Sequence, residues 1–242
     1  MDPEYGQIYR TLYEEHWWWR ARERIVLKEI HDLNPTDSWG SILDVGCGDG
    51  LFFPKLQALG EVEGVEPDAS LVSQASLNRW NIHLRPFDSS FRGEEPFRLI
   101  LFLDVLEHMQ EPEPALAHAL DLLEPGGIIL VTVPAFPVLW TSHDEANHHF
   151  RRYTISSFRD LAGSVGMRVY RQRYFFHWLF GPKLVQRLFE RTFPGDRELR
   201  NPRIPRAWAN RLIEGFSVME NAALGPLRVP LGSSLLVVGT KG

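Results

Sequence analysis

The chain has 242 residues, of which 44% are hydrophobic and 12% aromatic, and its formal net charge is −5 at pH 7. This apolar content suits a folded domain with a sizeable core and excludes an intrinsically disordered chain. No apolar run approaches the roughly 20 residues that a membrane-spanning helix needs. The first residues lack the pattern of a secretory signal, and the single cysteine cannot form an internal disulfide. We therefore expect a cytoplasmic protein.

Residues 1–38 have the pattern of a helical flank before the first strand, with helical spacing from Tyr5 to Leu33. They contain the run EEHWWWRARER at residues 14–24. Three successive tryptophans cannot all lie on one side of a helix, so at least one should contact a second surface or a ligand. Packing of the helix on a sheet is the alternative.

Five short apolar runs alternate with helical stretches between residues 41 and 134. Their near-continuous hydrophobicity is typical of strands buried on both faces of a parallel sheet. The strands are predicted at 41–45, 62–65, 82–84, 99–103 and 128–133, and the helices at 51–59, 69–79 and 114–123, with a helix stop at Pro125-Gly126-Gly127. The alternation predicts a doubly wound α/β sheet whose ligand site lies beyond the carboxyl ends of the strands.

Beyond residue 134 the pattern loosens into a polar, aromatic loop over 135–153, a helix over 154–163 and two further strands, at 167–174 and 234–238. Between those strands lies helical, arginine-rich sequence, and residues 171–211 carry ten Lys or Arg against three Asp or Glu. We expect one domain over 1–242: an α/β core formed by 39–176 and 232–242, the N-terminal flank, and a basic helical insertion at 177–231.

The first predicted strand leads into a glycine-rich loop within ILDVGCGDG, residues 42–50. Glycine permits a tight turn and lets a ligand approach the bare backbone. The second strand ends at Glu66, 22 residues after Asp44, where α/β nucleotide sites place a carboxylate that binds the ribose hydroxyls. The spacing is G-x-G-x-G instead of G-x-G-x-x-G and follows an aspartate, which favours a cationic ligand and argues against NAD.

The sequence resembles the class I S-adenosylmethionine-dependent methyltransferases, in particular bacterial methyltransferase-domain families related to quinone-biosynthesis enzymes. Four motifs carry the resemblance in the family's order: LDVGCGDG (43–50), VEGVEPD (62–68), FRLILFLDVLEH (97–108) and LLEPGGIILVTVP (122–134). The resemblance implies S-adenosylmethionine as cofactor. It also implies a Rossmann-like, mostly parallel seven-stranded sheet, with an antiparallel last strand beside the sixth.

The resemblance further implies which residues bind the cofactor. Asp44 and the glycine loop would hold the methionine moiety, and Glu66 the ribose hydroxyls. Residues just after the second and third strands would contact the adenine, and residues at the end of the fourth strand would face the methyl group. The full set is Asp44, Gly46, Cys47, Gly48, Gly50, Glu66, Pro67, Asp88, Asp104 and Val105. For Asp88, an acid in a solvated turn is the alternative.

In this family the N-terminal helix commonly closes over the cofactor, which would place Tyr13, Trp18 or Arg20 near it. The motif Asn-Pro-Pro-Tyr of DNA adenine methyltransferases is absent after the fourth strand, where Asp104-Val105-Leu106-Glu107 stands instead. We therefore do not expect DNA as the acceptor.

The loop WTSHDEANHHFRRYT, residues 140–154, carries the densest set of reactive side chains and should overhang the site. Methyl transfer to a hydroxyl requires loss of a proton, and histidine suits its removal near neutral pH. The candidates are His143, His148 and His149 for catalysis, and Arg151, Arg152, Tyr153 and Trp18 for acceptor binding. A hydrogen-bonded scaffold is the alternative. A metal site from His143, Asp144 and His148 is not expected, because spacing alone is poor support for one.

Residues 178–193 predict a basic amphipathic helix, with Lys183, Arg187 and Arg191 on one face. Such a helix can lie on an anionic membrane, cap the acceptor pocket or join two copies of the chain, and a solvated basic face is the alternative.

These patterns together predict an S-adenosylmethionine-dependent methyltransferase for a small-molecule or lipid-linked acceptor, with transfer to oxygen. Two alternatives remain. One is an NAD-dependent oxidoreductase of similar fold, and the other is a non-catalytic binding module that retains the cofactor fold.

Overall fold

In the computed structural model of the chain, which describes residues 3–34, 38–193 and 202–242, seven strands form one sheet. They are β1 (Ser41–Val45), β2 (Glu61–Val65), β3 (Asn81–His83), β4 (Phe97–Leu103), β5 (Leu123–Pro134), β6 (Met167–Phe175) and β7 (Ser234–Lys241). The order across the sheet is β3-β2-β1-β4-β5-β7-β6. Strands β1 to β5 pair in parallel, and β7 lies antiparallel between β5 and β6. The predicted fold class is confirmed.

Nine α-helices among the described residues surround this sheet. They are α1 (Pro3–Glu15), α2 (Trp17–Leu33), α3 (Phe53–Leu56), α4 (Gln74–Leu77), α5 (Glu113–Leu122), α6 (Ser142–Ala146), α7 (Ile155–Ser164), α8 (Phe180–Thr192) and α9 (Ala207–Leu224). None of them is long and apolar enough to cross a membrane.

The N-terminal flank is two helices, not the single helix that its spacing predicts. The break lies at His16, whose extended backbone (φ −79°, ψ 134°) interrupts the helical path. The imidazole of His16 accepts a hydrogen bond from the backbone N–H of Trp18 at 3.1 Å and so caps α2.

Two other predicted elements differ for reasons of local chemistry. The helix predicted over 69–79 is divided, because Asp68 caps a short 3₁₀ turn and Ser73 caps α4. The predicted helix stop at Pro125-Gly126-Gly127 lies inside β5. Its register against β4 shifts there, and Gly126 adopts φ +84°, so the segment forms a bulge in the strand.

The core has two layers, one on each face of the sheet. Along β4, Ile100 and Phe102 point toward a cluster that includes residues of α5 and α7, whereas Leu99 and Leu101 point toward a cluster that includes residues of α2 and α3. This alternation is why the central strands are apolar along their whole length. The faces are closed by helices, and the carboxyl ends of the parallel strands are left for function.

The insertion between β6 and β7 contributes α8 and α9. Part of the basic segment predicted there, including Arg197 and Arg200, lies outside the described residues. Helix α9 reaches back to the N-terminal flank, where the side-chain oxygen of Asn210 accepts a hydrogen bond from Trp17 N–H at 2.9 Å.

Candidate functional site

The glycine loop after β1 takes a path that side chains would obstruct. Gly46 and Gly48 adopt φ +72° and +52°, which favour glycine. The N–H of Gly46 donates to the carbonyl of Val65 at 2.8 Å. A Cβ atom on Gly46 would lie 2.6 Å from a methyl group of Val105. The end of β4 therefore approaches the loop so closely that position 46 requires glycine.

Glu66 lies beside this loop, as the sequence predicts. Its side chain is buried, and its two carboxylate oxygens accept hydrogen bonds from Gly48 N–H at 3.0 Å and Asp68 N–H at 2.9 Å. Burial raises the pKa of Glu66 despite these two bonds. Each oxygen keeps a second lone pair, so the fixed carboxylate can still accept hydrogen bonds from a ligand.

An arginine that sequence reasoning missed enters the site from α2. The Nε atom of buried Arg22 lies 2.5 Å from Oδ2 of Asp104, just beyond the end of β4. Asp104 adopts φ +57°, an uncommon backbone conformation for aspartate that is held by its N–H bond to the carbonyl of Thr132 at 2.9 Å. Burial raises the pKa of Asp44 to about 7, and the positive charge of Arg22 opposes this shift, so the guanidinium acts on both carboxylates. The sequence contains an indication that Arg22 is buried, because it shares a helix face with the apolar residues Ile25 and Val26.

Helix α1 covers the loop. A Cβ atom on Gly48 would lie 3.9 Å from the ring of Tyr9, and Arg10 forms an ion pair with Asp49. Burial raises the pKa of the Tyr9 hydroxyl to about 12, and the negative charges of the site add to this effect. An N-terminal helix over the cofactor site was expected, but Tyr9 and Arg10 were not the residues named for it.

The three residues named for that role make contacts within the fold. The hydroxyl of Tyr13 donates to Glu23 at 2.7 Å, and Arg20 pairs with Glu214 at 2.9 Å. Trp18 packs edge-on against Trp19, with ring centroids 5.2 Å apart, and also contacts Phe176. The half-buried ring of Trp18 also lies 5.7 Å from the guanidinium carbon of Arg22, and acceptor binding by Trp18 stays a prediction.

Three further predicted cofactor residues are Asp88, Pro67 and Cys47. Asp88 is exposed, and its carboxylate accepts hydrogen bonds from the N–H (2.8 Å) and hydroxyl (2.5 Å) of Ser90. These bonds fit the alternative of an acid in a solvated turn, and a contact of Asp88 with adenine stays a prediction. Pro67 is exposed next to Glu66. Cys47 is half-buried, and burial raises the pKa of its thiol, so it is not a nucleophile.

The polar loop after β5 is organised around one buried carboxylate. Asp144 is fully buried and accepts hydrogen bonds from Arg152 Nε at 2.8 Å and Nη2 at 2.9 Å. Its Oδ1 atom also lies 2.9 Å from Nδ1 of His149. Burial raises the pKa of Asp144, but the bonds from His149 and Arg152 outweigh burial and hold it well below its usual range.

Three predicted acceptor-binding residues have partners within the fold. Arg152 is committed to Asp144 and to the carbonyl of Ala135, and Tyr153 is buried with its hydroxyl donating to Leu106 O at 3.2 Å. Arg151 donates to the carbonyl of Gln110. The scaffold alternative fits Arg152, whose charge is balanced by Asp144, and Tyr153, whose hydroxyl bonds within the fold. The only bond of Arg151 is to a carbonyl, and its Nε atom has no hydrogen-bond partner among the described residues, so acceptor binding by Arg151 stays a prediction.

The three candidate histidines are not equivalent. His143 and His148 are exposed, whereas the His149 side chain is only 10% exposed and packs edge-on against His108 at 4.7 Å between ring centroids. Glu107, which sequence reasoning did not single out, completes a group in which its carboxylate and the two rings offer ligand atoms all within 4.8 Å of one another. These residues could hold a metal ion.

The environment of that group is strongly perturbed. Burial and the nearby charge of Asp104 raise the pKa of Glu107 well above its ordinary value. Burial and His149 lower the pKa of His108 to about 4, so its ring is neutral at pH 7. Burial and the positive charge of Arg152 lower the pKa of Lys183 in α8 to about 8. Such perturbed groups are typical of functional sites.

A cavity of about 920 Å³ lies away from this edge, lined by residues of α2, α7, β6 and the segment after α9 that include Glu29, Arg159 and Arg173. None of the predicted cofactor residues borders it. We therefore place the functional site at the glycine loop and its neighbours and not in this cavity.

Comparisons with known proteins agree with this geometry. A family described as "Methyltransferase domain" matches residues 18–172. The chain is 26% identical over 163 residues to a ubiquinone biosynthesis O-methyltransferase of Maricaulis maris, covering 54% of this chain and 61% of that protein. A protein of the same name from Burkholderia multivorans is 28% identical over 144 residues, or 52% and 60% of the two chains. The chain thus spans about three fifths of the curated relatives it matches.

Two solved structures share the fold. One is the methyltransferase in complex with the Haloferax volcanii Trm112 activator, with TM-score 0.58, 16% identity, and coverage of 98% of this chain and 94% of that one. The other is phosphoethanolamine N-methyltransferase 2 of Haemonchus contortus with S-adenosyl-L-methionine, with TM-score 0.56, 14% identity, and coverage of 97% and 59%.

Proposed function

Since the chain belongs to the methyltransferase-domain family of S-adenosylmethionine-dependent enzymes, we propose that it transfers the methyl group of S-adenosylmethionine to an oxygen atom of a small-molecule or lipid-linked acceptor. The observation that carries the proposal is the carboxylate of Glu66, fixed against the glycine loop with acceptor capacity left for a ribose diol.

The methionine part of the cofactor would lie between Asp44, Asp104 and Arg22. The two carboxylates favour the cationic sulfonium and ammonium groups, and the guanidinium of Arg22 favours the carboxylate of the methionine moiety. Helix α1, through Tyr9, would cover the bound cofactor and exclude water. The enzyme's contribution to an in-line methyl transfer is chiefly such positioning.

The choice of oxygen rests on two supports. The Maricaulis and Burkholderia relatives are named as O-methyltransferases. In addition, His149, His108 and Glu107 stand beyond the end of β4, close enough to Asp104 for its charge to affect Glu107. An imidazole there can take the hydroxyl proton itself or help to hold a cation that acidifies the hydroxyl.

We also propose a peripheral membrane contact through α8 and α9, which suits a lipid-linked acceptor. Helix α9 buries polar residues such as Asn210 and Glu214, whereas its opposite face exposes Trp208 (65%) and Leu212 (65%). Helix α8 also holds the polar loop, because Glu190 accepts a hydrogen bond from Ser142 N–H at 3.0 Å. An apolar face with adjacent arginines is typical of helices that lie on anionic bilayers.

Calorimetry with S-adenosylmethionine tests the proposal. Glu66→Ala removes charge-assisted hydrogen bonds worth about 1.5 to 3 kcal/mol, so we expect roughly 10- to 150-fold weaker binding. Glu61→Ala, at the exposed start of the same strand, is the control and should bind as the wild type does. Formation of S-adenosylhomocysteine with a panel of hydroxylated acceptors then measures turnover. Equal affinity of Glu66→Ala and wild type would contradict the ribose assignment.

A further inference from the structure

A cluster at the carboxyl edge of β4 has the composition of a metal site. The Glu107 carboxylate and the rings of His108 and His149 offer ligand atoms that all lie within 4.8 Å of one another. Metal–ligand distances of about 2.1 Å bring such atoms to roughly 3.4 Å in a tetrahedral site, so the ligand atoms would approach one another by at most about 1.4 Å. We propose that Glu107, His108 and His149 bind one divalent transition-metal ion.

The burial of Glu107 is the first independent support. Its side chain is 1% exposed, and its Oε2 atom has no hydrogen-bond partner among the described residues. A buried carboxylate oxygen without a partner is costly, and the protein retains it only where something compensates. A cation among the three side chains supplies that compensation.

The orientation of His149 is the second support. Its Nδ1 atom lies 2.9 Å from Oδ1 of Asp144, and Arg152 fixes that carboxylate from the other side. With the Nδ1 proton donated to Asp144, the lone pair is on Nε2. A carboxylate that orients a histidine in this way is the usual outer partner of metal-ligating histidines. The buried Asp144–Arg152 pair thus has a role beyond holding the loop.

The donor set indicates the kind of ion. Two imidazoles and one carboxylate suit Zn²⁺ and neighbouring transition-metal ions, whereas Mg²⁺ and Ca²⁺ prefer oxygen ligands throughout. Three protein ligands also leave coordination positions open, which is the arrangement of catalytic zinc sites and not of structural ones.

The consequence for the reaction rests on the proposed function. An acceptor hydroxyl that binds the ion loses its proton to water at lower pH than when free, because the cation stabilises the oxyanion. That oxygen then forms a bond to the methyl carbon while the bond from carbon to sulfur breaks, which leaves a neutral thioether. In this assignment His149 is a metal ligand, and the hydroxyl proton goes to water.

Titration of the full chain with Co²⁺, without S-adenosylmethionine, tests the site directly. We expect one saturable site per chain with visible d–d absorption that Zn²⁺ abolishes by displacement. Glu107→Gln and His149→Ala should each weaken Co²⁺ binding by roughly 100-fold or more. His148→Asn is the matched control, since asparagine tolerates the backbone φ of +55° at this exposed position, and it should keep wild-type affinity.

Glu107→Gln separates loss of the metal site from loss of folding. It removes a buried charge and keeps the side-chain shape, so its Tm should be no lower than that of the wild type. Absence of saturable Co²⁺ binding, or unchanged affinity in both variants, overturns the proposal. Cofactor binding is measured separately, so failure of the metal site leaves the methyltransferase proposal standing, and failure of cofactor binding leaves the metal result interpretable.

Discussion

Asp44 is an ionisable group in a buried position, and burial opposes its negative charge. The side chain is buried at the end of β1, and burial raises the pKa of its carboxyl group to about 7, with Glu66 adding to the shift and Arg22 opposing it. At neutral pH the group is therefore divided between its neutral and ionised forms. A ligand with a positive charge beside it would bind the ionised form more tightly.

We therefore expect the affinity for S-adenosylmethionine to rise with pH. Below pH 7 the carboxyl is mostly protonated, and above it the carboxylate attracts the cationic ligand. Between pH 6 and pH 8 the ionised fraction increases from about 9% to about 91%, which predicts roughly tenfold tighter binding. Calorimetry across this range measures the effect. Asp44→Asn should remove this increase, and a flat profile for the wild type would contradict the prediction.

Residues whose role follows from spacing along the chain were predictable, and residues whose role depends on a distant partner were not. The glycine loop and Glu66 belong to the first group, because consecutive strand ends of a parallel sheet meet at one edge. Arg22 and Glu107 belong to the second. Arg22 meets Asp104 only after α2 packs on the sheet, and the bonds from Arg151 to Gln110 and from Arg152 to Asp144 likewise join residues that are far apart in the sequence or meet only in the folded loop.

At the scale of elements, the break between α1 and α2 is held by α9. Asn210 accepts from Trp17 N–H at 2.9 Å and donates to the carbonyl of Glu15 at 2.6 Å, so one side chain pairs with both helix ends. Glu214, one turn later, forms ion pairs with Arg20 and Arg24. Because α1 covers the glycine loop and its last residue bonds to Asn210, we infer that the insertion helps to hold this cover.

Asn210→Ala should loosen α1 without unfolding the sheet. Two backbone groups lose their partners, at a cost of about 1 to 3 kcal/mol each if they stay buried. We expect faster hydrogen exchange of the α1 amides, weaker S-adenosylmethionine binding and unchanged exchange in β4 and β5. Arg211→Ala, an exposed neighbour on the same helix, is the control. If α1 exchange does not change, α9 does not hold the cover.

Elements that begin and end at local signals were predicted well, and longer helical stretches were divided by caps within them. Strand β1 has its predicted bounds, and α7 lies within one residue of them. The single helix expected over Tyr5 to Leu33 is broken by a histidine cap and by bonds from Asn210, almost two hundred residues away. A local periodic pattern in the sequence cannot predict a contact between residues so far apart in the chain.

Over the whole molecule, α9 is oriented with its apolar face outward. Its buried residues are polar, namely Asn210, Glu214, Ser217, Glu220 and Asn221, while Trp208, Leu212, Phe216 and Met219 form an exposed stripe. Val185 and Leu188 of α8 add further exposed apolar surface. Apolar stripes of this kind mark interaction sites on folded proteins. On the predicted basic face, Lys183 and Arg187 are half-buried and Arg191 is exposed, and burial lowers the pKa of Lys183 to about 8, so the two arginines are the more firmly charged members of this face.

We therefore expect the chain to bind anionic liposomes and to bind neutral ones much less. Each arginine near an anionic bilayer contributes about 1 kcal/mol, so Arg187→Gln with Arg191→Gln should weaken binding roughly 30-fold at low salt. Arg79→Gln with Arg168→Gln removes the same charge from exposed positions outside the insertion and should have little effect.

Leu212→Gln tests the apolar stripe and should weaken binding at both low and physiological salt, because burial of apolar surface is not screened. Co-sedimentation measures all four proteins together. If the wild type does not sediment with anionic liposomes, the membrane contact is wrong, and the apolar stripe of α9 must be covered by something other than a bilayer.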